Sequence, residues 1–497
     1  MSELARRKYL ERYAEPEARL ARQLGHQYSS IVVVPVHGEV PSFLDELEPA
    51  LKAASGRALL IVVVNATDAA SEQVHHANAQ VLSALAQRLV ARQDLAEVEG
   101  CPAQAALGRP SVYDILVIDR ASPGRRLPAG EGVGLARRIG TDVGLAHFDA
   151  GGVVSPWFGA TDADARLPVD YFARLAALGQ QPLAADGTRR VGASLPFWHY
   201  PSGEAAVDDA TAVYELSLRY YTLGLASAGS PYAYESMGSS LAVLADAYAD
   251  VRGFPRRQAG EDFYLLDKLA KVGSIHRPSG APILLRSRMS DRVPFGTGSR
   301  VRDIVDAGGK LLFYHPRTFE LLGLTLRALR RGVVMQSEEG VVSELRRNLD
   351  VGTVGAISTA LEELQAFEAL RETFGASSDP RVRERRLLTW FDALRTLRFV
   401  HLIEAPAALP RLPWESAFEL APFTSFWREQ AAQQGGAGGV EVPTNEPGAP
   451  LAGEPGAPPS SETASLEAGR MAASEAEQTL PLDIGVGNVI SGSVKTV

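Results

Sequence analysis

Two runs in this chain contain no polar residue: "IVVVPV" (Ile31–Val36) and "ALLIVVV" (Ala58–Val64). A strand with one wet face alternates apolar and polar residues. A run that is aliphatic at every position needs cover on both faces, which a parallel sheet between helices provides. Helical spacing follows each run, in "FLDELEPALKAAS" and in "AASEQVHHANAQVLSALAQRLVAR". "YDILVID" (Tyr113–Asp119) supplies a third strand, "EGVGLARRIGTDVGLAHF" a further helix, and "GGVVSPWFGATDAD" a fourth apolar run. The alternation predicts an α/β fold with a mostly parallel sheet flanked by helices. Ligands of such sheets bind beyond the carboxyl ends of the strands. The loops after Val36, Val64 and Ala160 are therefore where chemistry is expected.

Residues 1–29 read as one amphipathic helix, with Leu4, Tyr9, Leu10, Tyr13, Leu20 and Leu24 as its apolar points. From about residue 300 to 433, "VVSELRRNL", "ISTALEELQAFEALRETFG" and "RVRERRLLTWFDALRTLRFVHLIE" predict a C-terminal helical extension. Residues 434–497 carry eight acidic and two basic side chains and repeat "EPGAP" twice, supplying -6 of the net charge of -9. Low hydrophobicity with charge predicts a disordered tail there. No basic tract points to nucleic acid. One cysteine, Cys101, excludes an intrachain disulfide framework and suits a reducing compartment. The charged N-terminus and the absence of an apolar run near the roughly 20 residues of a membrane span lead us to expect a cytoplasmic protein without a transmembrane segment. Peripheral membrane contact and oligomeric state stay open.

Asp162 and Asp164 in "GATDADARLPVDYF" follow the fourth apolar run. A short carboxylate pair offers hard oxygen donors to Mn²⁺ or Mg²⁺, and such an ion neutralises a departing diphosphate. "AGEDFYLLDKLAKVG" starts a helix at Gly260, with Glu261 and Asp262 in the first turn where the helix dipole favours them. Phe263, Leu266, Leu269 and Val272 form its expected buried face. "RSRMSDRVPFGTGSR" combines arginines with a Gly-rich backbone, a combination that holds phosphate. Arg288, Asp291 and Arg292 are candidates within it. The Tyr-rich stretch Trp198–Val243 suits sugar faces and ordinary packing alike.

The order of "VVVPVHGE", "LIVVVNATD", "GLARRIGTDVGLAH", "GATDADARLPVDYF" and "AGEDFYLLDKLAKVG" resembles the GT-A glycosyltransferases, especially the large family-2 type. The resemblance spans about residues 30–290. It implies a GT-A (Rossmann-like) domain over residues 30–299 and transfer of a sugar from a nucleotide-sugar donor to a hydroxyl acceptor. It implies that Asp162 and Asp164 bind the metal, with His276 as a further ligand. Pro35, His37, Gly38 and Glu39, in the loop after the first strand, would meet base and ribose. Arg137, or its neighbour Arg138, would reach the diphosphate, and Asp162 would share in donor binding. Asp262 would be the general base, with Glu261 orienting it, in an inverting rather than a retaining reaction. The family's second strand ends in Asp-Asp-Gly-Ser; this chain has Asn65-Ala66-Thr67-Asp68. Either Asn65 replaces a carboxylate as a hydrogen-bonding group or Asp68 takes over. Competing readings are a sugar-1-phosphate nucleotidyltransferase, which lacks its Gly-rich triphosphate loop in "VPVHGEVPSF", and an inactive nucleotide-sugar-binding protein of GT-A fold.

Overall fold

The computed structural model describes residues 2–110, 112–290 and 296–420. The predicted tail, residues 421–433 of the predicted helical extension, and the candidates Asp291 and Arg292 lie outside the described residues. In chain order the strands are β1 (Ser30–Val36), β2 (Ala58–Asn65), β3 (Gln93–Asp94), β4 (Gln104–Gly108), β5 (Asp114–Arg120), β6 (Trp157–Ala160), β7 (Ala165–Arg166), β8 (Arg190–Ser194), β9 (Phe197–Tyr200), β10 (Leu241–Leu244), β11 (Ser274–His276) and β12 (Ile283–Arg286). The helices are α1 (Ser2–Arg12), α2 (Phe43–Ala53), α3 (Glu72–Arg88), α4 (Val133–Asp149), α5 (Tyr171–Gln180), α6 (Ala205–Ser227), α7 (Ala245–Asp250), α8 (Glu261–Ala270), α9 (Thr297–Asp306), α10 (Pro316–Met335), α11 (Glu338–Asn348), α12 (Val351–Glu363), α13 (Ala366–Phe374), α14 (Pro380–Trp390), α15 (Ala393–Glu404) and α16 (Trp414–Glu419).

Nine strands form one sheet in the order β11-β8-β10-β6-β1-β2-β5-β4-β3. Tracing the pairings across it, only β10 and β4 run against the other seven. The mostly parallel sheet read from the apolar runs is thus present. β1, β2 and β5, buried along their whole length, occupy its interior. α4 lies on one face. A Cβ at Gly140 would meet Val33 Cγ1 at 2.4 Å, and one at Gly144 would meet Ile31 Cδ1 at 3.2 Å. Those two glycines let the helix axis approach the strands and carry Arg137 to the sheet's carboxyl edge.

β7, β12 and β9 form a second, three-stranded sheet beside that edge, starting one residue after Asp164. A second hydrophobic core joins Tyr220, Leu225 and Ala228, at the end of α6, to α10 and the helices after it. Among the described residues, no helix is long and apolar enough to cross a membrane.

The single N-terminal helix expected over residues 1–29 is broken. α1 ends at Arg12, Glu15 is extended, and a 3₁₀ turn runs over Pro16–Gln23. Pro16 offers no N–H and disfavours helix at the residue before it. Leu4 consequently remains exposed, while Tyr9 is buried with its hydroxyl on Asp142 of α4 at 2.7 Å. Of the expected buried face of α8, Leu266 and Leu269 are buried and Phe263 is half-buried, whereas Val272 lies beyond the helix and is exposed; Leu265 is buried in addition.

Gly140 and Gly355 separate packing from helix propensity. Gly140→Ala is expected to lower stability by about 1–3 kcal/mol through overpacking against Val33. Gly355 is exposed in α12, and a Cβ there would meet nothing within 4 Å. Gly355→Ala should raise stability by about 0.5–1 kcal/mol. A denaturant midpoint left unchanged or raised by Gly140→Ala would refute the close α4–sheet approach.

Candidate active site

Arg137 sits one turn into α4 with its side chain almost wholly buried. A buried guanidinium needs its charge matched and its N–H groups satisfied. Its Nε donates to Glu261 Oε1 at 2.9 Å, its Nη2 to Asp162 Oδ1 at 2.5 Å and its Nη1 to the Thr161 carbonyl at 3.3 Å. Three segments meet on one cation: the helix over the sheet, the end of β6, and the start of α8. Arg138 turns the other way. It donates to the carbonyls of Arg252, Phe254 and Tyr13, and pairs with Glu15, so it fastens the N-terminal segment.

Asp162 uses its second oxygen as well. Oδ2 accepts from Ser239 Oγ at 2.5 Å. Ser239 belongs to the turn Gly238–Ser240, which leads into β10. Because β10 runs antiparallel to β6, with Leu241 opposite Ala160, that turn is brought beside the Asp162 loop. Gly238 fits tightly there: a Cβ would lie 2.6 Å from Arg137 Nη2 and 3.5 Å from Asp262 Oδ2. Asp262 Oδ1 accepts from the Phe263 N–H at 2.7 Å.

Asp162, Glu261 and Asp262 therefore face Arg137 with more negative charge than it can match. Burial raises the Glu261 carboxyl, and the neighbouring Asp262 charge raises it further against the opposing pull of Arg137. Asp262 is raised too, first by burial and in part by Asp162. Burial disfavours a charged Arg137, but Asp162, Glu261 and Asp262 outweigh it and keep the guanidinium protonated.

A second junction lies two residues further on, at Asp164. Arg288, just after β12, pairs with Asp164 Oδ2 at 2.8 Å and with Glu39 Oε1 at 3.3 Å. Asp164, Glu39 and Asp162 raise its pKa against the effect of burial. The loop after β1 is held by its own network. His37 Nδ1 lies 2.9 Å from the Asn65 carbonyl, Asn78 Nδ2 donates to that same carbonyl, and Gly38 N–H donates to Asn78 Oδ1.

The structure brings Asp162, Glu261, Asp262 and Arg137 together, and Asp164, Glu39 and Arg288 beside them. Pro35 is not in the loop as expected. β1 stays paired to β2 through Val36, so Pro35 is a buried strand residue opposite Val63. Asn65 is buried and donates its amide to the Val36 and Val63 carbonyls, at 3.0 and 3.2 Å, so both strand ends hold it in place. Asp68 is on the surface, paired with Arg126 at 2.8 Å. His276 ends the edge strand β11, level with Ala193. β8 and β10 separate it from β6, about 14 Å away at three strand spacings, so it does not join the aspartates. Burial, then the Arg190 charge, lowers its pKa. Ser239 and Asn78 belong to these networks and were missed. A buried Asn in an otherwise amphipathic helix was the available signal for Asn78, and the small residues of "SMGSS" before "LAVL" for Ser239.

Among the described residues, no three His, Cys, Asp or Glu side chains form a metal-holding group. Asp162 has both oxygens engaged. Asp164 and Glu39 present hard oxygen donors around a spot where a cation, the Arg288 guanidinium, already lies. Oxygen donors of that kind fit Mg²⁺ or Mn²⁺, with remaining positions left for phosphate oxygens.

No protein-family profile matches this chain, and no curated protein matches its sequence. The charge imbalance has a consequence of its own. With folded pKa values above the unfolded ones, Glu261 and Asp262 favour folding while protonated, fully below the ordinary carboxylate range and progressively less as pH rises through the raised values. Asp262→Asn removes one excess charge. Its melting temperature at pH 8 should exceed that of the wild type by about 1–3 °C, with the gap closing towards pH 5. A variant no more stable than wild type at pH 8 would refute the repulsion.

Proposed function

We propose that the chain is a nucleotide-sugar-dependent glycosyltransferase of GT-A type, transferring a sugar to a hydroxyl acceptor with inversion. The observation that carries this reading is the Arg137 junction. It joins the Asp-x-Asp turn after β6 to the Glu-Asp start of α8, two acidic motifs 99 residues apart, at the carboxyl edge of the sheet. A metal-dependent sugar transfer needs one such group for the leaving diphosphate and another for the acceptor proton.

In this reading the acceptor oxygen attacks the anomeric carbon, the bond from that carbon to the diphosphate oxygen breaks, and Asp262 takes the acceptor's proton. A carboxylate with a raised pKa is the better base near neutral pH. Glu261, held by Arg137, keeps the first turn of α8 oriented. Asp164, with Glu39 across Arg288, would hold Mn²⁺ or Mg²⁺, and Asp162 would stand behind it, oriented by Ser239 and Arg137. When bound, the ion supplies Lewis-acid neutralisation of the departing diphosphate. His37, Glu39 and the backbone of the loop after β1 would receive base and ribose.

A thermal-shift panel of UDP-, GDP-, ADP- and dTDP-sugars, with and without Mn²⁺, tests the reading. One nucleotide should raise the melting temperature only in the presence of metal. Asp164→Ala should abolish that shift. Asp262→Ala should keep it while lowering transfer by at least about 10²-fold. Folded protein that responds to no nucleotide sugar would overturn the proposal.

A further inference from the structure

Among the described residues, the small sheet leaves one face partly open. Along β7, β12 and β9 the burial alternates: Ala165, Leu285, Ile283 and Phe197 are buried, while Arg166, Arg286 and Trp198 are exposed. Register puts the outward residues in two rows. Trp198, Leu284 and Arg166 form one, and Tyr200 and Arg286 the other. Arg166 stacks over the Tyr200 ring at 4.3 Å and pairs with Glu46 at 2.7 Å. Arg219 stacks on Trp198 at 4.9 Å, its charge taken up by Glu215 at 2.6 Å. Arg286 has no ion pair among the described residues, so this face carries a net positive charge in an acidic protein.

The face is continuous with the site. β7 starts one residue after Asp164, and Arg288, two residues after Arg286, is the side chain on that aspartate. The exposed Trp198 indole and the half-buried Tyr200 phenol, two residues apart on β9, give flat apolar surface for the C–H faces of pyranose rings. The Arg286 guanidinium, on the strand position level with Tyr200, gives paired N–H donors for a carboxylate or a phosphate. Neutral sugars would use the rings and leave Arg286 unmatched.

We propose that this face is a subsite for an anionic saccharide, carrying uronate or phosphate groups, which leads its hydroxyl end towards Asp262. As an acceptor site the proposal rests on the glycosyltransferase reading; as a binding site it stands alone. Calorimetric titration with tri-galacturonate, and with cellotriose as the neutral probe, tests it. Wild type should bind the galacturonate at least about 10-fold more tightly than cellotriose, and Arg286→Glu and Trp198→Ala should each weaken it by a similar factor. Both variants should keep the wild-type melting temperature. Equal binding of the two probes, equal binding by wild type and variants, or no galacturonate binding would overturn the inference. The nucleotide-sugar shift with Mn²⁺, measured on the same samples, separates the two proposals. If it is present without galacturonate binding, the subsite alone fails; if it is absent with binding intact, the transferase reading alone fails.

Discussion

The Arg137 guanidinium is the constraint to which the rest of the site answers. It lies out of water, so removing a partner would leave a buried charge uncompensated, a loss of about 3–5 kcal/mol in comparable cases. Its partners come from distant parts of the chain, and each must arrive with its carboxylate or carbonyl correctly aimed. α4 must therefore press close on β1 and β2, which Gly140 and Gly144 permit. β6 must end where Asp162 reaches the helix, and α8 must begin beside it. The turn at Gly238 must pass without a side chain, because any Cβ would strike the guanidinium.

That arrangement does not minimise energy locally. Three carboxylates around one arginine are more than charge balance requires, and the raised pKa values of Glu261 and Asp262 express the excess. Natural proteins keep such imbalances where a ligand or a proton will relieve them. Burial raises the Asp142 carboxyl as well, but there no second carboxylate adds to the shift. Asp142 receives two tyrosine hydroxyls and a backbone N–H, and Glu215 receives a histidine, a backbone N–H and an arginine. The like-charge contribution sets Glu261 and Asp262 apart from these two.

How much of this was legible follows from the physics of each element. β1, β2 and β5 announce themselves because strands covered on both faces admit no polar residue. β8, β10, β11 and β12 span three to five residues each, one of them within the Gly-Ser-rich "MGSSLAVL", so propensity alone does not reveal them. The insertion of β8 and β10 between β6 and the edge strand β11 is what carries His276 away from Asp162, a matter of strand order that no local pattern encodes. The acidic motifs could be read from type and position. The small residues of "SMGSS" mark the place of Ser239 but not its partner, because that contact exists only once β10 has paired antiparallel with β6. The break after α1 was readable from Pro16 and was overridden by the apolar spacing on either side of it.

The second strand's ending is where the chain departs most from the family it resembles, and its geometry gives the departure a meaning. Asn65 directs both amide hydrogens at carbonyls of β1 and β2, while its own carbonyl receives Asn78 and lies against His37. A carboxylate at this buried position could donate nothing to those carbonyls and would have to be charged or protonated without a cation beside it. The Asn65 side-chain amide, together with the contacts of Asn78 and His37 to the Asn65 main-chain carbonyl, therefore ties the two strand ends together without a carboxylate. In the proposed reading this takes a negative charge out of the donor's path and leaves Glu39 and Asp164, gathered on Arg288, as the acidic groups of that side. Base recognition would then rest on the shape and backbone of a loop locked by amides, with the charge reserved for the end where the diphosphate lies.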